Sequence, residues 1–166
     1  MSFENEIEYL YNSYVDDLFA YAIHLGFERH IVMDAIHDVF LKLFYNNTIE
    51  PENLENPKFY LFRALRNTLI NSAKKKSNFD ISINEIEHTH DKTDEADNFL
   101  LSEEQEQLIK EKVENLLKTL TKRQYEIVYL RFVEEYSYEQ IAQIMKITPG
   151  ACRKLVHKAI KNLRMK

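Results

Sequence analysis

The residues that could most readily be combined into a metal site are His88, His90 and Asp91, which lie within four positions of one another. Histidine and carboxylate side chains bind zinc, but such a site needs further ligands and supporting groups on rigid elements. Neither is recognisable around these residues. We therefore expect no catalytic residues, no metal and no cofactor. The alternative from a different functional class is an enzyme with a metal site at these residues.

A second group of candidate functional residues is the cluster of basic side chains at the end of the chain. Residues 146–166 include seven Lys or Arg residues and no Asp or Glu. At about 100° per residue, a helix there places these bases opposite an apolar stripe. The stripe consists of Cys152, Val156, Ala159, Ile160 and Leu163, and the opposite face of Gly150, Arg153, Lys154, His157, Lys158, Lys161 and Arg164. Because a DNA major groove admits one helix, Arg153, Lys154 and His157 are candidate base readers, and Lys158 and Lys161 are candidate phosphate contacts.

The segment from residue 57 to residue 76 has another polar face. Its apolar positions predict one buried side of a helix, made by Phe59, Phe62, Leu65, Leu69 and Ala73. A different side carries Tyr60, Arg63, Asn67, Asn71 and Lys74, and the segment ends with Lys74, Lys75 and Lys76. Amides pair with base edges, an aromatic ring stacks on an unpaired base, and lysines attract phosphate. This face predicts contact with single-stranded DNA.

The segment from residue 29 to residue 45 has an outward face that combines acidic and apolar side chains. A buried helix face is predicted from Val32, Ile36, Val39, Phe40 and Leu43. The opposite face carries Asp34, His37, Asp38, Leu41 and Tyr45. Apolar anchors among carboxylates indicate a protein interface whose charges select a basic partner.

The elements that hold these faces are all predicted to be helices. Two Gly and three Pro residues are few for 166 residues, and the abundant Leu, Ile, Lys and Glu favour helices. Apolar spacing predicts helices over residues 3–24, 29–45, 57–76 and 100–117. Capping boxes at residues 121–124 and 137–140 begin two more, and Thr148 before Pro149 begins the last. The short and long helices on either side of residues 146–148 have the layout of a helix-turn-helix.

Charge divides the chain into blocks. Residues 1–57 contain 2 basic and 11 acidic residues, and residues 58–77 contain 6 basic residues and no acidic one. Residues 78–106 contain 1 basic and 10 acidic residues, and residues 107–166 contain 13 basic and 6 acidic residues. The polar stretch after residue 76 has too few apolar residues to support a core. We predict an all-α protein with two small helical domains joined by an acidic linker, the C-terminal one with a helix-turn-helix. The predicted bounds are 1–76, 77–99 and 100–166.

The sequence predicts neither export nor membrane insertion. Residues 1–11 are acidic and aromatic, no apolar run is long enough to span a bilayer, and Cys152 is the single cysteine. We expect a cytoplasmic protein.

Three segments, in their order along the chain, resemble the extracytoplasmic-function group of sigma-70-type factors. Asp34 to Phe44 is similar to that family's Asp-x-x-Gln-acid-x-Phe-x-x-Leu-aromatic segment. Tyr60 to Asn67 resembles its Trp-Leu-Tyr-Arg-Ile-Ala-Arg-Asn run, and Leu130 to Ala159 resembles its helix-turn-helix. The resemblance covers nearly the whole chain.

The resemblance implies a factor that directs core RNA polymerase to specific promoters and assists promoter melting. Residues 1–76 resemble sigma region 2 and residues 100–166 resemble sigma region 4. The implied contacts to the clamp of the largest polymerase subunit are Asp34, His37, Asp38, Leu41 and Tyr45. The implied contacts to −10 DNA are Tyr60, Arg63, Asn67, Asn71, Lys74 and Lys75. The implied contacts to −35 DNA are Thr148, Gly150, Arg153, Lys154, His157, Lys158 and Lys161.

Three further expectations come with the resemblance. The loop of residues 46–56 lies where the family captures a flipped −10 base. The acidic linker is expected to enter the positive channels with which polymerase holds nucleic acid. An anti-sigma factor is an expected further partner.

Four positions depart from the family pattern. His37 stands where Gln is usual, Tyr60 where Trp is common, Pro149 where a small or branched apolar residue is frequent, and Leu155 where a basic residue often lies. The promoter sequence does not follow, because base readout depends on a few variable side chains. The alternative is a helix-turn-helix regulator that binds duplex DNA without joining polymerase. The two further faces on the first domain argue against it.

Overall fold

The computed structural model describes residues 2–46, 55–76 and 103–165, and within these ranges every regular element is a helix, as predicted. The predicted linker of residues 77–99 and most of the loop of residues 46–56 lie outside the described residues. In chain order the helices are α1 (Phe3–His24), α2 (Arg29–Asn46), α3 (Pro57–Lys76), α4 (Glu103–Leu117), α5 (Lys122–Val128), α6 (Tyr138–Met145) and α7 (Pro149–Arg164). A π-helical turn, Tyr129–Val133, continues α5.

Helices α1, α2 and α3 pack against one another as a three-helix unit. Ser2 begins α1 by accepting a hydrogen bond from the Asn5 N–H at 3.4 Å. Gly26, at a φ of 92°, turns the chain from α1 into α2, because glycine reaches positive φ without a steric cost. The buried side chains of this unit include Leu18, Tyr21, Ala22, Val32, Ile36, Val39, Phe40, Leu43, Phe62, Leu65 and Leu69. The predicted inward stripe of α2 is therefore buried throughout.

Helices α5, α6 and α7 form the second unit. Both predicted capping boxes are present, at Thr121 with Gln124 and at Ser137 with Gln140. Thr148 caps α7 with Pro149 at its start, also as predicted. The buried side chains here include Ile127, Leu130, Ile141, Ile144, Cys152, Val156 and Ala159. Burial raises the pKa of the Cys152 thiol, which fits its predicted place on the inward stripe of α7.

The two units share one continuous core. Helix α3 contacts α2 on one side and α6 on another. Consequently α3 is buried on two sides, and Leu61 and Arg66 are only 1% and 5% exposed. The sequence predicted one buried face for α3, and the structure has a second that includes Leu61 and Arg66. The periodicity of α3 alone does not show that another helix packs on this second face.

Helix α4 differs from the others in its exposed apolar residues. Leu108 is 57% exposed and Ile109 62%, and Val113 and Leu116 are also exposed. No described helix is both long and apolar enough to cross a membrane.

Candidate nucleic-acid and protein interfaces

The helix-turn-helix is held in a fixed geometry by local contacts before α7 begins. In the second capping box, the Gln140 N–H donates to the Ser137 hydroxyl at 3.2 Å. Arg131 donates from Nη1 to the Tyr136 carbonyl at 2.9 Å. Lys146 ends α6 in the left-handed conformation, at a φ of 56°, and so reverses the chain into α7. These contacts fix the direction in which α7 presents its outer face.

The outer face of α7 is exposed and basic. Every residue predicted there for DNA contact is exposed: Thr148, Gly150, Arg153, Lys154, His157, Lys158 and Lys161. Arg153 lies over the ring of Tyr138, with its guanidinium carbon 5.4 Å from the ring centroid. Its Nη2 is 3.8 Å from the Glu139 carboxylate, a distance that leaves the guanidinium able to turn towards a base. This arrangement suits insertion of α7 into a major groove.

A groove of about 340 Å³ runs between α2 and α3. It is lined by Asp38, Val39, Lys42, Tyr60, Ala64, Asn67, Thr68, Asn71, Ser72 and Lys75. The side-chain oxygen of Asn67 is buried in this wall and has no hydrogen-bond partner among the described residues. A buried acceptor without a partner is costly, so a donor from a ligand would relieve it. The groove therefore offers an aromatic ring, two asparagine amides and two lysines to one ligand.

The residues predicted on the outer face of α3 differ in exposure. Arg63, Asn71, Lys74 and Lys75 are exposed, whereas Tyr60 and Asn67 are half-buried. Tyr60 and Asn67 are half-buried because they form part of the groove wall beside α2. Of the predicted polar row, Tyr60, Asn67 and Asn71 line the groove, whereas Arg63 and Lys74 lie outside its lining.

The outer face of α2 combines acids with large apolar groups. All five predicted residues are exposed: Asp34, His37, Asp38, Leu41 and Tyr45. Leu41 is 49% exposed and Tyr45 76%. Phe44 was not among the predicted contacts, yet it is 42% exposed and meets the Tyr45 ring edge-on at 5.7 Å. Its position three residues after Leu41 was the sequence signal that could have added it.

Among the described residues there is no group of His, Cys, Asp and Glu side chains that could hold a metal ion. His88, His90 and Asp91 lie outside the described residues.

Comparison with protein-family models gives two matches. The model described as Sigma-70 region 2 matches residues 10–79, and the model described as Sigma-70, region 4 matches residues 110–163. The chain belongs to the sigma-70 family. The matches to region 2 and to region 4 make it an RNA polymerase sigma factor of the extracytoplasmic-function type. No curated protein matches the chain.

Family membership confirms several predictions. A sigma factor binds core RNA polymerase and promoter DNA in transcription initiation, and the helix-turn-helix regulator that does not join polymerase is not favoured. Sigma factors are not enzymes, and the expectation of no catalytic residues is consistent with this family. The predicted contact residues and domain bounds are not tested by the matches and stay predictions.

The sequence did not predict a buried ionic cluster between the two units of the sigma factor. Arg66 on α3 donates to both carboxylate oxygens of Glu126 on α5, from Nε at 2.5 Å and from Nη2 at 3.3 Å. The Tyr21 hydroxyl on α1 donates to Glu126 at 2.7 Å. Arg66 Nη1 also donates to the Ile144 carbonyl on α6 at 3.4 Å. We call Tyr21, Arg66 and Glu126 the interdomain clasp.

Electrostatics within the clasp favour a charged pair. Burial alone would lower the pKa of Arg66, but the charge of Glu126 and its hydrogen bonds raise it above the ordinary value. Burial and the negative charge of Glu126 raise the pKa of Tyr21 well above its usual range. Tyr21 therefore stays a neutral hydrogen-bond donor to the Glu126 carboxylate.

Proposed function

We propose that this sigma factor divides its work among three surfaces: α2 binds the clamp of the largest polymerase subunit, the α2–α3 groove binds −10 DNA, and α7 reads the −35 element. The observation that carries the proposal is that three chemically different surfaces are exposed, each on its own helix or groove. The acidic α2 face has apolar anchors, the groove has amides and a ring, and α7 has a row of bases.

On α2, Leu41, Phe44 and Tyr45 supply the apolar contact area, and Asp34 and Asp38 lie beside them. Desolvated aromatic and aliphatic anchors provide most of the affinity in such interfaces. The carboxylates steer a basic partner and reject an acidic one. Because Asp38 also lines the groove, polymerase binding at α2 lies directly beside the proposed −10 site.

In the groove, Tyr60 would stack on an unpaired base while Asn67 and Asn71 pair with base edges. Lys74 and Lys75 would meet the phosphates that follow. Holding bases of one strand in this way favours the separated duplex, which is how a protein without an energy source assists promoter melting.

On α7, Arg153, Lys154 and His157 come early in the helix, where side chains reach base edges in the major groove. Lys158 and Lys161 follow at the spacing of phosphate contacts. The compartment of this work is the cytoplasm. An anti-sigma factor, expected from the family, stays a prediction.

The decisive experiment is transcription reconstituted from purified protein and core polymerase, on the promoter upstream of its own gene. We expect a specific transcript that neither component gives alone. Asp38→Arg should weaken binding to core polymerase at least tenfold, because it places a cation opposite a basic partner. Lys154→Ala should weaken binding to the −35 duplex about five- to a hundredfold and leave core binding unchanged.

Matched controls exclude general effects of charge. Glu8→Arg reverses an exposed carboxylate on α1, and Lys118→Ala removes an exposed lysine after α4. Both should behave as the wild type. Absence of a specific transcript from the own-gene promoter and from candidate target promoters would overturn the proposal. Equal losses in a variant and its matched control would overturn the assignment of that surface.

A further inference from the structure

Tyr138, the first residue of α6, lies beside two arginines of the helix-turn-helix unit. Its ring centroid is 4.5 Å from the guanidinium carbon of Arg131 and 5.4 Å from that of Arg153. Both distances are within the range of about 6 Å in which the face of an aromatic ring attracts a cation. Arg153 is a candidate base reader, whereas Tyr138 is not among the predicted DNA contacts.

The Tyr138 ring is held in place on the side that faces the protein. Arg131 donates from Nη1 to the Tyr136 carbonyl at 2.9 Å, so its guanidinium is attached to the backbone two residues before Tyr138. The capping hydrogen bond from the Gln140 N–H to the Ser137 hydroxyl, at 3.2 Å, fixes the backbone at the start of α6. Tyr138 is half-buried and packs against the hydrophobic core. The ring therefore has a defined position without DNA.

Arg153 is held less firmly than Arg131. Its side chain is 58% exposed, and its Nη2 lies 3.8 Å from the carboxylate of Glu139, whose side chain is 67% exposed. An exposed ion pair of this length contributes little energy and restrains a side chain only weakly. The Tyr138 ring is thus the more rigid of the two groups beside the Arg153 guanidinium.

A fixed ring beside an exposed arginine affects how well that arginine binds a base. A long side chain loses rotamer freedom when it pairs with a base edge, and this loss opposes the contact. Stacking on a ring that is already in place removes part of that freedom beforehand, because a planar guanidinium packs well on an aromatic face. The gain belongs to the base contact of one side chain, whereas phosphate contacts elsewhere on α7 do not depend on it.

We propose that Tyr138 is a positioning residue for recognition of the −35 element. Its ring, held by Arg131, orients the guanidinium of Arg153 towards a base edge in the major groove. The proposal rests on the proposed function, in which Arg153 reads a base. It assigns to Tyr138 a part in specificity at a single base pair, through the aromatic face and not through the hydroxyl group.

The test is selection of promoter fragments that are randomised across the −35 element. The full-length chain, reconstituted with core polymerase, selects the fragments, and sequencing gives the enrichment of the preferred base over the next best at each position. Arg153→Ala identifies the position that Arg153 reads, as the one whose preference it removes. Tyr138→Met keeps an apolar side chain without an aromatic face, so it should lower the preference at that position about two- to fivefold and leave the other positions unchanged.

Two controls separate the aromatic face from other properties of Tyr138. Tyr138→Phe keeps the ring and removes the hydroxyl group, so its selected sequences should match those of the wild type. An equal loss of preference in Tyr138→Phe and Tyr138→Met would show that the hydroxyl group acts directly, and would overturn the positioning role. Gln143→Met places a methionine at an exposed position of the same helix and should change no preference.

A double variant tests whether Tyr138 acts through Arg153. In a chain that already has Arg153→Ala, adding Tyr138→Met should change no base preference further, because the side chain that the ring orients is gone. A further loss of preference in the double variant would mean that Tyr138 acts on another contact, which contradicts the proposal.

A variant that fails to fold does not end the test. If Tyr138→Met lowers the helix content measured by circular dichroism, Arg131→Lys examines the same arrangement from its other side. It keeps the charge but removes the guanidinium that binds the Tyr136 carbonyl and lies by the ring, so the same preference should fall.

Unchanged preference at the Arg153 position in every folded variant, or an equal loss at all positions, would overturn the role of Tyr138. Absence of any −35 position whose preference depends on Arg153 would instead count against the proposed function.

Discussion

Neighbouring residues of α3 have opposite environments. Arg66 points away from solvent into the interdomain clasp, where its guanidinium makes hydrogen bonds to Glu126 and Ile144. The next residue, Asn67, places its side-chain oxygen in the wall of the α2–α3 groove without a partner among the described residues. A single step along the helix, about 100°, thus separates a structural contact from a proposed ligand contact.

Asn67 gives a prediction at this scale. Asn67→Ala should leave core polymerase binding unchanged and remove a base preference at one position of the −10 strand, because an amide discriminates bases by paired hydrogen bonds worth about 1–3 kcal/mol. The measurement is selection of single-stranded oligonucleotides from a random pool by the polymerase complex, followed by sequencing. Asn12→Ala, at an exposed position of α1, is the control. Identical selected sequences from wild type and Asn67→Ala would contradict the assignment of Asn67 as a base reader.

Individual residues were predictable where periodicity alone decides their environment. The exposure of Arg63, Lys74 and Lys154 followed from the apolar stripes opposite them. Arg66 did not follow, because charged residues on a helix usually face solvent and its partner Glu126 lies 60 residues later in the sequence. No local pattern connects two such positions.

Helix boundaries were predictable because their signals are local. The capping boxes at Thr121 and Ser137 satisfy backbone donors within three residues, so the sequence contains the whole interaction. The π-helical turn after α5 has no such signal. It ends beside Glu135, which has a φ of 58°, a left-handed conformation that disfavours residues with a Cβ.

The strain at Glu135 leads to a prediction at the scale of the element. Glu135→Gly should stabilise the protein by about 1 kcal/mol, because glycine adopts positive φ without the steric cost. In a chain of this size we expect the melting temperature to rise by about 2–4 °C, measured by circular dichroism. Glu135→Ala removes the same carboxylate but keeps the Cβ, so it should not stabilise. Equal stabilisation by both variants would assign the effect to repulsion from Glu134 instead of backbone strain.

At the scale of the whole molecule, composition and helix periodicity were enough to predict the all-α class. The packing of one unit on the other was not predictable, because it depends on contacts between α1, α3, α5 and α6 that are distant in sequence. The sequence did contain the charge that makes those contacts, since Arg66 and Lys58 lie in a segment with no acids. Which acids they would meet depended on the fold.

The distribution of charge explains how an acidic protein can bind DNA. The net charge is −5, yet the outer face of α7 is basic and exposed, while the acids of the first 57 residues include those on the outer face of α2. DNA approaching α7 meets local positive charge, and long-range repulsion from distant carboxylates is screened within about 10 Å at moderate salt. Local charge and not the net value should therefore control affinity.

The salt dependence of DNA binding distinguishes control by the local charge of α7 from control by the net charge of the protein. The logarithm of the binding constant for a −35 duplex should fall linearly with the logarithm of the salt concentration, with a slope of about −0.9 for each phosphate contact. Lys158→Ala removes one proposed phosphate contact and should reduce the magnitude of that slope by about 1. Lys118→Ala lowers the net charge by the same amount at an exposed site outside α7, and its slope should match the wild type. If both variants reduce the slope equally, net charge controls DNA binding and the α7 face is not the phosphate-contact surface.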